Sequence, residues 1–310
     1  MKILFLGTAE FACPSLEALL VSPYELLGVI TQPDRPRGRG QKLVPSPVKS
    51  LALKANIPIY QPEKVRDPSF LKVLESFRPD LMVVVAYGQI LSAAVLSIPP
   101  KGCINVHGSL LPKYRGAAPI VRAILGGESR TGITTMFMDR GMDTGPILLT
   151  EETEIGEEDT AGTLHDRLSQ IGARLLLRTL ESLKRGTLTP HPQDQSQATY
   201  APKIEKEEAR INWNTPARKI CNLIRGFDPW PGAFTTWAGR VLKLFRPHFG
   251  DNETPEAPGT IIQASKEGLR ISTSLGHLLI REVQMENRPR MEVAEFLKGY
   301  PIQAGLRLGD

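Results

Sequence analysis

The feature that most restricts what this chain can become is a fully apolar pentapeptide, Leu81–Val85 (LMVVV), bounded on both sides by turn-forming residues. A strand with no polar position must be covered on both faces, the environment of a central parallel strand flanked by helices. The neighbouring pattern agrees. Lys2–Leu6 is a continuous apolar strand, Pro14–Val21 has helical spacing and Leu27–Thr31 reads as the next strand, so the chain opens as a βαβ unit. Helix Val48–Ala55, strand Pro58–Tyr60 and helix Pro68–Phe77 lead to Leu81–Val85, and strand Gly102–Val106 follows it. No helix separates Thr131–Met138 from Ile147–Thr153, which predicts an antiparallel pair at the sheet edge. Helix Thr160–Arg185 aligns Leu164, Leu168, Ile171, Leu175 and Leu176, and Gly186 stops it.

The periodicity disappears near residue 190 into Thr, Pro, Gln, Asp and Ser. After it, one helix, Pro216–Gly226, precedes short β-type runs at Phe234–Trp237, Val241–Phe245, Thr260–Ala264, Leu269–Ser272 and His277–Val283. Short strands at such intervals predict a small barrel or sandwich. The expected organisation is an α/β domain with a Rossmann-like open sheet over residues 1–190, a linker over 191–207 and a smaller β-barrel domain over 208–310. A length of 310 residues fits two domains of ordinary size, each with its own core.

Composition excludes more than it selects. The 41% hydrophobic content is that of a globular protein, not a disordered or collagenous one. The three cysteines, Cys13, Cys103 and Cys221, have neither zinc nor redox spacing, which predicts free thiols in a reducing compartment. The first apolar run is too short for a secretory signal or a membrane span, so a cytoplasmic protein with no membrane partner is expected, as a monomer. A net charge of +5 permits an anionic partner without naming one.

Four segments bear on chemistry. Gly7 follows the first strand, but G-T-A-E-F-A lacks the later glycines of a dinucleotide fingerprint, and Gln32 and Pro33 stand after the second strand instead of an acid. In C-I-N-V-H-G-S-L-L-P-K-Y-R-G (103–116), Asn105 and His107 end a strand on one side, at the carboxyl edge where open sheets bind ligands. A carboxamide beside an imidazole can stabilise an oxyanion and move a proton near neutral pH. In D-R-G-M-D-T-G (139–145), either Asp139 or Asp143 can reach back to orient that imidazole. The segment D-R-P-R-G-R-G-Q-K-L (34–43) sets Arg35, Arg37, Arg39 and Lys42 against Asp34, a local excess suited to phosphates. Trp213, Trp230 and Trp237 are expected in packing rather than base stacking. His165, His191, His248 and His277 have no ligand spacing, and no metal is expected.

The stretch N-V-H-G-S-L-L-P-K-Y-R-G-A-A-P-I, with M-D-R-G-M-D-T-G-P-I-L downstream, resembles the signature of the folate-dependent formyltransferases. The likeness runs almost end to end with the branch acting on initiator methionyl-tRNA, through F-L-G-T-A-E-F-A, T-Q-P-D-R-P-R-G-R-G-Q-K-L-V-P-S-P-V-K, V-V-V-A-Y-G, K-E-E-A-R-I-N-W and F-D-P-W-P. The resemblance implies Asn105, His107 and Asp143 as the catalytic trio, choosing Asp143 over Asp139. It implies Ser109, Leu110, Leu111 and Pro112 as the loop contacting 10-formyltetrahydrofolate. The basic loop, with Arg39 and Lys42 foremost and Lys203 and Lys206 as weaker candidates, would meet the tRNA. The second domain would be an OB-like barrel holding the tRNA; its 14 Lys and Arg against 11 Asp and Glu make it mildly basic. Transfer to a small amine, such as a ribonucleotide or amino sugar, or hydrolysis of the formylated folate would use the same trio without needing the basic loop.

Overall fold

The computed structural model describes residues 1–37, 42–251 and 255–309. Its contacts divide the chain into two units, one of residues 1–119, 130–154 and 165–201, the other of residues 120–129, 155–164 and 202–310.

In the first unit β1 (Lys2–Gly7), α1 (Cys13–Leu20) and β2 (Glu25–Ile30) form the expected βαβ opening. A hairpin of β3 (Arg35–Arg37) and β4 (Lys42–Val44) comes next. The segment read above only as a basic loop thus contains two three-residue strands, which its prolines and glycines conceal in the sequence. Ser46 then caps α2 (Pro47–Lys54), its hydroxyl accepting from the Lys49 amide, with Pro47 at the first helical position. There follow β5 (Ile59–Tyr60), α3 (Pro68–Ser76), β6 (Leu81–Val85), α4 (Ala93–Leu96), β7 (Cys103–His107) and β8 (Arg115–Gly116). β9 (Arg130–Phe137), β10 (Ile147–Glu154), α6 (Ala161–Arg185) from His165 onward and β11 (Tyr200–Ala201) complete this unit, while α5 (Pro119–Leu125), apart from Pro119, is counted with the second.

Seven strands form one sheet in the order β10-β9-β7-β6-β1-β2-β5. The pairs from β7 to β5 are parallel, whereas β9 is antiparallel to both β7 and β10. The edge pair predicted from the missing helix is therefore present. All five side chains of β6 are buried, as its composition requires; each contributes about 1.5–3 kcal/mol. The chain steps outward from β1 to β2 and β5, then returns to β6 on the other side of β1, which creates a topological switch point between β1 and β6. β8 and β11 make a separate two-stranded parallel pair, so the segment predicted as a linker carries strand structure at Tyr200–Ala201.

The second unit holds α7 (Ala217–Gly226), β12 (Phe234–Trp237), β13 (Arg240–Gly250), β14 (Ile261–Ser265), β15 (Gly268–Ser272), β16 (His277–Met285), β17 (Met291–Glu292) and α8 (Val293–Gly299). Its antiparallel sheet runs β12-β13-β16-β15-β14, with β17 also paired to β16. Helix α7 buries Ala217, Ile220, Cys221 and Ile224, the i, i+3, i+4, i+7 stripe, in a core with Leu242, Leu244, Leu269 and Ile280. Trp213 is buried and donates to Thr235 Oγ1 at 3.1 Å, and Trp237 packs edge-on to Phe296 and Tyr300; Trp230 is exposed. Two of the three tryptophans therefore serve packing, as predicted.

An ion cluster ties β13, β16 and β17 together. Arg290 and Arg246 both engage Glu282, and the Arg290 guanidinium lies 4.0 Å from the Phe245 ring centre. Burial alone would push the Glu282 carboxyl up, but the hydrogen bonds from the two arginines outweigh it and hold the group below its ordinary 4.5. The folded state thus prefers the charged carboxylate. The stability this contributes is present above the unfolded-state value and lost as pH falls through the lower folded value. Glu282→Gln is expected to unfold at lower urea than the parent at pH 7, with the two curves converging below about pH 4.5. Since all three tryptophans lie in this unit, tryptophan fluorescence follows it. A gap that stays constant down to pH 3 would assign the loss to packing instead.

Candidate active site

The site is built on one strand whose sequence changes from apolar to polar along a single face. Successive residues of β7 alternate in direction, so Cys103, Asn105 and His107 share a side. Cys103 lies in the core with Met82 and Val84, and Asn105 stands opposite Val84 in the parallel register. The apolar face therefore ends at a carboxamide followed by an imidazole, near the carboxyl edge of the sheet. His107 is buried, with 6% exposure, so the ring is held in a fixed orientation.

The carboxylate arrives from the loop after β9. Because β9 runs antiparallel to β7, this loop leaves near the start of β7 and must fold back to meet Asn105 and His107. It does so with Asp143 at φ +54°, a left-handed conformation that aspartate tolerates better than most side chains. Asp143 Oδ1 accepts from Asn105 Nδ2 at 3.4 Å, and Oδ2 accepts from the Gly116 amide at 2.8 Å while lying 3.6 Å from His107 Nδ1. Asp139 is spent elsewhere: its Oδ1 accepts from the Gly141 amide and Thr144 Oγ1, closing the turn. Spacing leaves both aspartates open; of the two, Asp143 is the one that reaches Asn105 and His107.

The imidazole tautomer follows from its second contact. His107 Nε2 lies 3.0 Å from the Tyr114 carbonyl oxygen, which can only accept, so Nε2 carries a proton. The nitrogen that changes its protonation is then Nδ1, on the side of Asp143. A ring protonated at Nδ1 faces a carboxylate, and a neutral ring presents a lone pair there.

The loop Ser109–Pro112 is held by its own side chains. Ser109 is fully buried, its hydroxyl donating to the Lys113 carbonyl at 2.6 Å, while Thr134 Oγ1 donates to the Ser109 carbonyl and accepts from the Leu111 amide. The Ser109 hydroxyl thus shapes the loop. Leu110 packs over Gly132, where a Cβ would sit 2.6 Å from Leu110 Cδ2, and Leu111 is buried ahead of a cis bond to Pro112.

Of the predicted phosphate contacts, Arg35 is exposed on β3, and Arg37 and Lys42 are backbone-paired across the hairpin. Arg39 lies outside the described residues. Asp34, the one acid in that stretch, is paired with Lys49 at 2.7 Å. Lys203 and Lys206 are exposed in the second unit. Among the described residues no group of three or more His, Cys, Asp and Glu is arranged for a metal ion, and no helix is long and apolar enough to cross a membrane.

Comparison with known proteins decides among the chemistries such a trio allows. Residues 1–180 match the family model for formyl transferase, and residues 203–301 match that for the formyl transferase C-terminal domain. The chain is 50% identical over 99% of its length to a methionyl-tRNA formyltransferase of Trichlorobacter lovleyi, covering 96% of that protein. It is 48% identical, over both full lengths, to the methionyl-tRNA formyltransferase of Clostridioides difficile. The chain belongs to the methionyl-tRNA formyltransferase family. It is therefore an enzyme that transfers a formyl group, with an α/β domain followed by an antiparallel β domain, as the family requires. The same fold recurs in an N-formyltransferase from Helicobacter canadensis solved with folinic acid and dTDP-3-aminofucose (TM-score 0.66, 20% identity, 92% of this chain and 100% of that one). It recurs in HypX from Aquifex aeolicus in complex with tetrahydrofolic acid (TM-score 0.63, 19% identity, 96% of this chain and 48% of that one). Met142, next to Asp143 in sequence, is 62% exposed.

Two elements of the site escaped the sequence reading. The Gly116 amide and the Tyr114 carbonyl, which receive Asp143 and His107, belong to a backbone segment whose only signal was the turn-prone K-Y-R-G. Gly116 has φ +120°, and a Cβ there would meet the Ala201 carbonyl at 2.7 Å, so the approach of β8 to β11 requires glycine.

Proposed function

We propose that this enzyme transfers the formyl group of 10-formyltetrahydrofolate to the α-amino group of methionine esterified to initiator tRNA. The observation that carries the reading is the meeting of Asn105 and His107, at the carboxyl end of β7, with Asp143 from the loop after β9. The folate supplies an activated formyl group on nitrogen. An α-amino group titrates near 7.7–8.0, so much of it is already neutral at physiological pH and no strong base is needed. Asn105 Nδ2 and a protonated His107 Nδ1 are donors for the negative charge that develops on the acyl oxygen. With Nε2–H committed to Tyr114, the proton that goes to the departing nitrogen comes from Nδ1, directly or through a water held with Asp143, and the proton that the attacking amine sheds passes back to Nδ1 by the same route, so the ring ends as it began. Asp143 keeps the ring oriented and stabilises its cation. Ser109–Pro112 would hold the folate beside them. Arg35, Arg37, Arg39 and Lys42, with Lys203 and Lys206, would bind tRNA phosphates, and residues 208–310 would act as an OB-like platform.

A formyl-transfer assay comparing charged initiator tRNA, charged elongator tRNA and free methionine tests the substrate. The initiator is expected to be favoured over the elongator at least about tenfold, and over free methionine far more, because the binding energy of the tRNA is then missing. Equal use of free methionine would point to a small-amine substrate, and release of formate without an acceptor to a hydrolase.

A further inference from the structure

The left-handed turn that delivers Asp143 is not held by its own loop alone. The side chain of Gln193, 8% exposed, donates both protons of its amide nitrogen to backbone carbonyls of this turn, at 2.8 Å to Asp143 O and 2.7 Å to Gly145 O. Its Oε1 accepts from Arg115 Nε at 3.0 Å and Nη2 at 2.7 Å. All four hydrogen-bonding positions of the amide are thereby used, and the amide can point only one way, because a carbonyl cannot donate and a guanidinium cannot accept. Arg115 is itself buried, at 1% exposure, and its Nη1 donates to Gln195 Oε1 at 2.8 Å. The next residue after Arg115 is Gly116, whose amide holds the Asp143 carboxylate. The same short strand thus grips Asp143 twice, by a main-chain amide at the carboxylate and through the guanidinium and Gln193 at the carbonyl.

We propose that Gln193, fixed by Arg115, is a positioning residue for formyl transfer that holds Asp143 in register with His107 and Asn105. This rests on Asp143 serving the reaction as described under Proposed function. A buried amide doubly bonded to two carbonyls of one turn fixes both the position and the rotation of that turn. Without it the left-handed residue is free to relax, and the carboxylate leaves its place beside His107 Nδ1. Misplacement of a reacting group by about 1 Å costs on the order of 100-fold in rate. The segment around Gln193, P-H-P-Q-D-Q-S, has the composition of a linker, which is why it yields no functional signal when read as sequence.

The test is Gln193→Glu. A carboxylate of the same length still accepts from Arg115, so the buried guanidinium keeps its partner, while both donors to the turn are removed. The expected result is a folded enzyme with kcat lowered about 10- to 100-fold and KM for tRNA and folate changed less than about threefold. In an Asp143→Asn background the same substitution should cost less than about threefold, because the group it positions is already disabled. A near-parental kcat for Gln193→Glu, or the full loss persisting in the Asp143→Asn background, would overturn the inference. Should Gln193→Glu fail to accumulate as folded protein, the double replacement Arg115→Met/Gln193→Met removes both partners of the buried contact. It carries the same expected loss of kcat and the same two overturning outcomes. If Asp143→Asn alone retains parental activity, it is the role of Asp143 that fails; if that variant is inactive and Gln193→Glu is not, only the role of Gln193 fails.

Discussion

His107→Ala lowers kcat for formyl transfer at least about 100-fold while the affinity for folate stays within a few-fold of the parent. Two contributions disappear together. A positioned donor to a developing oxyanion is worth about 100- to 1,000-fold, and a positioned proton donor about 100- to 10,000-fold. They share one ring and are not additive, so the smaller figure is the safe lower bound. Folate affinity is expected to survive because the Ser109–Pro112 loop, proposed above to hold the folate, is itself held by Thr134 and by its own hydrogen bonds, none of which involves the imidazole. The Tyr114 carbonyl loses its donor, a local cost of about 1–3 kcal/mol in stability that a thermal unfolding curve separates from the rate effect. Single-turnover kinetics with folate binding measured in parallel decides the matter. A turnover within a few-fold of the parent would remove His107 from the reaction.

The parts of this molecule legible in its sequence are those where one physical demand dominates. Leu81–Val85 had to be a covered strand, because five consecutive apolar side chains have nowhere else to go, and the absence of a helix before Ile147 left only an antiparallel edge. Asn105 and His107 were legible as a pair because strand periodicity puts them on one face. What closes the site was not. Asp139 and Asp143 both sit in a turn-forming run, and choosing between them needs the path of the chain. One folds inward at positive φ; the other caps the turn. The Tyr114 carbonyl and Gly116 amide act through the backbone, which any residue carries, and Gln193 lies in a stretch with the polarity of a solvent-exposed tether. Helices α5 and α8 escaped notice because seven residues are too few for periodicity to stand out. The β3–β4 hairpin is shorter still.

Replacing Arg35, Arg37, Arg39 and Lys42 together by glutamine raises KM for initiator tRNA at least about 100-fold at physiological salt and flattens its salt dependence. A cation that neutralises one phosphate releases counterions, so log affinity falls with log salt by about 0.7–0.9 per phosphate neutralised. Removing four such cations therefore reduces the slope by about 3, and at 0.15 M salt each is worth about fivefold, or several hundred-fold for the set. Asp34 does not offset these charges at close range, since its carboxylate is paired with Lys49, which holds it below the ordinary aspartate range together with Gln61. Backbone pairing of Arg35–Arg37 with Lys42–Val44 brings positions 37 and 42 into register, so at least these two basic positions stand opposite each other instead of being scattered along the chain. The catalytic trio draws on none of the four residues, so kcat at saturating tRNA should fall less than about threefold, and KM for folate should not move. Lys203→Gln and Lys206→Gln should each reduce the slope by about 1 or less. The measurement is KM for tRNA at several salt concentrations. A slope unchanged by the fourfold replacement would mean that this loop does not bind the phosphate backbone and that the tRNA is held elsewhere on the chain.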